Sequence, residues 1–313
     1  MLTIVINSRN DGHGLNQLER LQAFMDGIGD YRAMLDWDVE VVLVEWNPPP
    51  DRPTLSEMVQ LDVDFVKVYQ VPADIHHQFE NSNIVPFFFH VAHNTGVRRA
   101  AGDWVLVTSQ DVLFSERMAR WMALENFDKG AYYRAQRFDS NIDALTKGDV
   151  RERVALLAEN LNRVRPPKPG RIYTKAGGDF VMMHRDHWYA LRGGFPEWGL
   201  FGVFLDGLVI HSAYTSGLRQ VVLPENMVIY HIHHESQGME IYKSFPHIDY
   251  YEQYKPMARM MRRLMETLVV NEEDWGLADC DEVVVKKGVW RLAGGERARG
   301  VELPELARID KVR

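Results

Sequence analysis

The chain has 313 residues, 46% hydrophobic and 26% charged, a size and composition that suit one large α/β domain or two ordinary ones. With 36 Lys and Arg against 44 Asp and Glu the formal charge is −8, which argues against a non-specific nucleic-acid binder, since that needs a basic face. No window approaches the ~18 consecutive apolar residues of a membrane span, and a single cysteine, Cys280, excludes an intrachain disulfide.

In chain order, Leu2–Ile6 is a continuous apolar run, the pattern of a strand buried on both faces. Residues 16–35 carry apolar side chains at helical spacing, and Val39–Val44 is a second buried strand. It ends in EWNPPPDRP, where prolines forbid helix and sheet alike. Thr54 and Glu57 form a capping-box signature for a short helix. A strand over 63–71, a helix over 87–101, a strand over 104–108, a helix opened by Ser115 and a strand over 132–138 follow. Such alternation predicts a mostly parallel sheet with helices on both faces, which gathers ligands at the carboxyl ends of its strands. Residues 139–175 break the pattern, with a charged helix near 150–163 and then RPPKPGR, so this stretch reads as an insertion or mobile loop. GGDFVMMHRDHWYALRGGF resumes with a strand and a short helix, NMVIYHIHHESQG reads as another strand, and 250–270 as a long helix before a charged tail. The N-terminus lacks the pattern of a signal peptide, which with the lone cysteine points to the cytosol.

Four stretches carry polar residues where such a sheet meets its ligand. VINSRNDG places Asn7, Ser8 and Arg9 at the end of the first strand, where an arginine can pair with a phosphate. HNTGVRRAAGDWVLVTSQDVLFS leads through Asn94 and Arg98 to Gln110 and to an isolated strand-end carboxylate, Asp111, a suitable oxygen donor for Mg²⁺ or Mn²⁺. FPEWGLFGVFLDG offers aromatic faces for a sugar and then Asp206 at the start of an apolar helix. In VIYHIHHESQ, strand alternation puts His231 and His233 on one face. Each has a plain structural alternative, respectively a polar turn, a turn-capping Asp, a helix cap, and strand histidines satisfied by hydrogen bonds.

Taken in order, the four stretches resemble glycosyltransferases of the GT-A fold, above all the large inverting family 2 and the related galactosyltransferase and chondroitin-synthase-type domains. The unit from Asn94 to Asp111 is similar to that family's approach to its metal motif, FPEWGLFGVFLDG to the segment bearing its catalytic carboxylate, and YHIHH to its late metal-binding histidine. The resemblance covers about residues 1–235 and implies a Rossmann-like GT-A domain over residues 1–245; the C-terminal helix and charged tail over 246–313 lie outside it. It implies Asn7, Ser8, Arg9, Glu45, Asn94, Arg98 and Gln110 around the donor nucleotide, and Asp111, His231 and His233 as ligands of Mn²⁺ or Mg²⁺. Asp206 becomes the general base, and Gly178, Asp179 and Trp198 surround the acceptor. The activity implied is inverting transfer of a sugar from a nucleotide-sugar, most readily a UDP-sugar, to a hydroxyl of a glycan or glycoconjugate, as in polysaccharide biosynthesis.

Two departures stand out. The family's DxD motif is Ser109-Gln110-Asp111 here, without its first carboxylate, and strand 2 ends in VEWNPPP where two acidic residues are usual. A non-catalytic sugar or nucleotide-sugar binding module and a sugar nucleotidyltransferase therefore stay open as alternatives. The long C-terminal helix, with Arg259, Arg262 and Arg263 beside Met257, Met260, Met261 and Leu264, has three uses open to it: packing on the domain, pairing with a second copy, or peripheral contact with a membrane.

Overall fold

Every residue of the first strand, β1 (Leu2–Ser8), is buried, so its alternating side chains must find partners on two faces. The computed structural model, which describes residues 1–143, 145, 148–197, 205–235, 250–295 and 307–308, shows both partners. From β1 the chain runs through α1 (Gln17–Leu35), β2 (Val39–Trp46), α2 (Leu55–Met58), β3 (Val66–Val71), α3 (Ala73–His76), α4 (Phe89–Arg99), β4 (Trp104–Thr108), β5 (Val112–Phe114), α5 (Glu116–Ala123) and β6 (Ala131–Arg134). It continues with β7 (Gln136–Ser140), α6 (Val150–Glu159), β8 (Leu161–Val164), β9 (Phe180–His184), α7 (Arg185–Ala190), α8 (Asp206–Thr215), β10 (Arg219–Val222) and β11 (Val228–His231). Last come α9 (Tyr250–Leu264), β12 (Leu268–Val269), β13 (Asp281–Lys286), β14 (Val289–Ala293) and β15 (Ala307–Arg308).

Nine strands form the main sheet in the order β10-β6-β9-β4-β1-β2-β3-β14-β13. From β4 to β14 the neighbours are parallel, while β9 runs antiparallel between β4 and β6, and β13 closes the far edge antiparallel to β14. Leu2, Ile4 and Ile6 of β1 pack with Leu21, Phe24 and Met25 of α1 on one face. Val5 packs with Val91, Ala92 and Val97 of α4 on the other. A smaller sheet, β5-β11-β7-β8, lies beside the first core, joined to α1 through Ala23, Leu113 and Ile232.

The strand order reverses between β1 and β4: β2 and β3 spread to one side of β1, and β4 returns to the other. A doubly wound sheet opens a crevice at such a switch point, beyond the carboxyl ends of the two strands.

Two regions at the periphery carry more structure than their sequence suggests. Residues 139–175, expected as an insertion or mobile loop around a charged helix, hold that helix as α6, which begins at an Asp149–Glu152 capping box, and add β8, which pairs with β7. The region after residue 245 is likewise more than a helix with a tail. Asp281–Lys286 and Val289–Ala293 form a hairpin whose second strand pairs in parallel with β3, and Leu268, Val270, Trp275, Leu277 and Leu292 complete the core on the α4 face. No helix among the described residues is long and apolar enough to cross a membrane.

Candidate functional site

The loop leaving β1 forms one wall of the crevice and is held by side chains of α1. Gln17 donates to the Ser8 hydroxyl (3.0 Å) and to the Arg9 carbonyl, and its Oε1 accepts from the amides of Gly12 (2.9 Å) and His13 (3.2 Å). The buried Arg20 guanidinium donates to the carbonyls of His13 (2.7 Å), Gly14 (3.2 Å) and Leu15. Gly14 has φ +66°, and a Cβ there would stand 2.9 Å from the His234 side chain and 2.7 Å from the Glu235 carbonyl. Any other residue would push the loop off His234.

Asp111, His231 and His234 converge against this wall, each offering one ligand atom, with all three atoms within 4.8 Å of one another. Asp111 Oδ2 lies 2.7 Å from His234 Nε2 and 3.7 Å from His231 Nε2. The two imidazole Nε2 atoms are 3.2 Å apart. Ser109 Oγ donates to Asp111 Oδ1 (2.6 Å), orienting the carboxylate, and the Ile232 amide donates to the Asp111 carbonyl (2.9 Å), pinning the histidine segment beside it. Burial alone would push the Asp111 carboxyl up, but His231, and after it His234, hold it well below the usual range, so it is ionised. Behind His231, Nδ1 lies 3.5 Å from Asp139 Oδ1, the carboxylate–imidazole arrangement that supports metal-ligating histidines.

A chain of charged groups leads from this cluster to Asp206. Arg137 pairs with Asp139 (2.5 Å) on one side and with Asp179 (2.7 Å) on the other, and Arg165 also reaches Asp139 (3.1 Å). Beside Asp179, the Gly178 amide donates to Asp206 Oδ2 (2.9 Å). A Cβ on Gly177 would meet that same oxygen at 2.4 Å, so only glycine permits the approach. Burial, and after it the neighbouring Asp179, push the Asp206 carboxyl up to about 6, against the opposing pull of Arg134 and of the amides of Gly178 and Gly207. A carboxyl near 6 is suited to accepting a proton at neutral pH.

The residues expected from the sequence divide into those the crevice brings together and those it does not. Asp111, Gln110, His231, Asp179, Gly178 and Asp206 surround it. Gln110 is buried, and its Oε1 has no hydrogen-bond partner among the described residues. Asn7 and Ser8 leave β1 on opposite faces, Asn7 donating to the Phe89 carbonyl at the start of α4 (3.0 Å) and Ser8 meeting Gln17. Arg9 ties the loops after β1 and β2 by donating to the Asn47 carbonyl (2.8 Å) and pairing with Asp11 (3.2 Å).

Glu45 is wholly buried and its carboxylate is occupied, accepting from the Leu55 amide (2.6 Å) and from Gln70 (3.1 Å). Burial raises it to about 7. Asn94 turns inward to the Phe195 carbonyl (2.7 Å) and Glu197 (2.9 Å). Arg98 stands at the far end of α4, roughly 13 Å from Phe89 at 1.5 Å per residue, donating to the Trp275 carbonyl (3.1 Å) and covering that indole. Both therefore serve the scaffold. Trp198 lies outside the described residues.

His233 requires a correction. It is exposed, its amide donates to the Ile142 carbonyl (2.6 Å), and His234 takes its place in the cluster. Strand alternation puts 231 and 233 together only while the strand lasts, and β11 ends at His231. Arg137, Asp139 and Arg134 join the site without belonging to any of the four stretches. Charged residues inside the otherwise apolar YYRAQRFDS were the available signal, since charge on a buried strand needs a partner. The chain matches no protein-family model and no curated protein.

Proposed function

We propose that the chain is a metal-assisted glycosyltransferase that takes a sugar from a nucleoside diphosphate and inverts its anomeric configuration. The observation that carries this reading is the Asp111–His231–His234 cluster at the β1/β4 switch point, joined through Arg137 to a carboxyl near 6. One carboxylate and two imidazoles, with Asp139 behind His231, fit a divalent transition ion such as Mn²⁺ better than Mg²⁺, which favours oxygen donors.

Such an ion supplies positive charge to a departing diphosphate. The chain's own groups do the rest. Asp206 accepts the proton of the acceptor hydroxyl as that oxygen attacks the anomeric carbon. Gly178 and Gly177 fix the carboxylate's position, and Arg137 holds Asp179 and Asp139 so that base and ligand cluster keep one spacing. A single displacement with no enzyme-bound sugar inverts the configuration.

Melting curves with UDP, GDP and dTDP, each with and without Mn²⁺, test the reading. One nucleotide is expected to raise the melting temperature only with Mn²⁺. The rise should vanish in Asp111→Ala and His234→Ala and persist in His233→Ala. No shift with any nucleotide would sink the donor site and the transferase with it. A shift indifferent to Mn²⁺ and to Asp111 would keep the nucleotide and remove the metal. If the shift appears but the nucleotide-sugar is never turned over, and Asp206→Asn behaves as wild type, the crevice is a binding module.

A further inference from the structure

A second concavity lies beyond Asp206 and has a charge opposite to that of the chain. It is a cleft of about 750 Å³ between residues 166–175 and α9, floored by His211 and Tyr214 of α8. Lys168, Arg171 and Lys175 line one wall, and Lys255, Arg259 and Arg262 line the other, with no Asp or Glu among its described lining residues. Six cations facing one another repel, and a protein of net charge −8 has carboxylates to spare for them. Elsewhere it uses them: Arg137 pairs with Asp179, Arg151 with Glu116, Arg153 with Asp26 and Arg219 with Asp128. In the cleft, Lys168, Arg171, Lys175, Arg259 and Arg262 have no ion-pair partner among the described residues.

The walls are built. Tyr173 is buried, its amide donates to Gln220 Oε1 (2.7 Å), and Gln220 in turn donates to the Arg171 carbonyl (3.4 Å). Arg134 binds the carbonyls of Tyr173, Lys175 and Ala176 from behind. On the opposite wall Met261 of α9 is buried against Ser212 of α8. The cleft therefore keeps its shape, and its cations are held near one another rather than spread over a flexible surface.

We propose that this cleft binds a phosphoryl group, as a phosphomonoester or a diphosphate, carried by a compact molecule. A carboxylate is satisfied by one guanidinium fork, whereas Arg171, Arg259 and Arg262 with Lys168 and Lys175 supply the donors and charge that a multiply charged phosphoryl oxygen cluster takes. The volume suits a small-molecule ligand, and a concave site of that size does not match a flat bilayer or a polynucleotide. Its position adds a role that rests on the transferase reading. Lys175 is three residues from Gly178, and His211 follows Asp206 on α8 by roughly 8 Å at 1.5 Å per residue, so the phosphoryl-bearing molecule would be the acceptor.

Calorimetric titration of the full chain with pyrophosphate in EDTA tests the cleft apart from the metal cluster. Saturable one-site binding is expected, weakened about tenfold or more by Arg171→Glu with Arg259→Glu and unchanged by Asp111→Asn. Both arginines are exposed, and unchanged melting would confirm the fold; if the reversal does not fold, Arg171→Gln with Arg259→Gln is expected to weaken binding in the same direction. Absence of saturable binding would overturn the proposal, as would binding that survives the substitutions or that depends on Asp111. Binding to phosphatidylglycerol vesicles without binding to pyrophosphate would overturn it too, in favour of a membrane surface. The transferase reading fails separately, in the Mn²⁺-dependent nucleotide melting that EDTA leaves out.

Discussion

Asp206 is held in a way that favours proton transfer and disfavours folding. Its carboxyl is moved from an ordinary 3.8 to about 6, so between those values the folded chain keeps a proton that the unfolded chain has released. Stability therefore falls as pH rises through that window, by roughly 3 kcal/mol once the carboxylate is fully ionised. Asp206→Asn lacks the ionisation and keeps an oxygen for the Gly178 amide. The variant is expected to melt above the wild type at neutral pH and to converge with it below about pH 4 and, under the proposed transferase function, to lose turnover. Melting temperature against pH for the two proteins reads the difference directly. A constant offset at all pH values would mean that Asp206 has an ordinary acidity and no poised proton. Strand alternation cannot pick out His234, because its place depends on the Asp111 carbonyl capturing the Ile232 amide just after the strand stops, a contact between segments far apart in the chain.

The stretch from Tyr173 to Asp179 is turn and loop without helix or strand, yet the site depends on it. It supplies the Gly178 amide to Asp206 and one wall of the basic cleft. Its most connected tie is one buried side chain: Arg134, on β6, donates to the carbonyls of Tyr173 (3.2 Å), Lys175 (2.7 Å), Ala176 (2.9 Å), Gly177 (3.3 Å) and Phe180. Replacing it with Met would leave those acceptors without their donor, and breaking a buried charged network of this kind costs about 3–5 kcal/mol. Arg134→Lys keeps the charge but not the fork, so it should recover only part of the loss. Chemical denaturation of both variants gives the magnitudes, and a cost under about 1 kcal/mol for Met would show that the segment holds itself. The sequence reveals elements made by local pattern: the apolar runs of β1, β2 and β4, and the Thr54–Glu57 capping box, which is present with both of its bonds. It does not reveal arrangements made by one side chain reaching across forty residues. Glu45 shows the same limit, since the carboxylate expected at a nucleotide caps the start of α2.

At the scale of the molecule, the C-terminal region decides whether the crevice has a rigid frame. The hairpin DEVVVKKGVWRLA was legible as two strands around Lys287-Gly288, a turn signal between apolar runs. The motifs that resemble a family stop before it, so none of them asks for further strands there. In the structure β14 covers the edge of β3, and the segment between α9 and the hairpin is bound to α4 at several points. Arg99 pairs with Glu282 (2.8 Å) and donates to the carbonyls of Gly276 (2.7 Å) and Leu277 (3.0 Å). Glu197 accepts from both Asn94 and the Gly276 amide (2.7 Å). Since α4 begins at Phe89, whose carbonyl holds Asn7, these bonds at its far end steady the crevice from behind. A chain ending at residue 245 loses the bonds made by Gly276, Leu277 and Glu282 together with the burial of Leu268, Val270, Trp275, Leu277 and Leu292. At about 1.5–3 kcal/mol for each large apolar side chain, that loss is on the order of 10 kcal/mol, comparable with the roughly 5–15 kcal/mol that holds an entire domain folded. Residues 1–245 alone are therefore expected to be insoluble or to lack cooperative melting and slow amide exchange in β2 and β3. A truncated protein that melts cooperatively and still shows a Mn²⁺-dependent nucleotide shift would prove the C-terminal region an accessory and place the whole frame of the site in the first 245 residues.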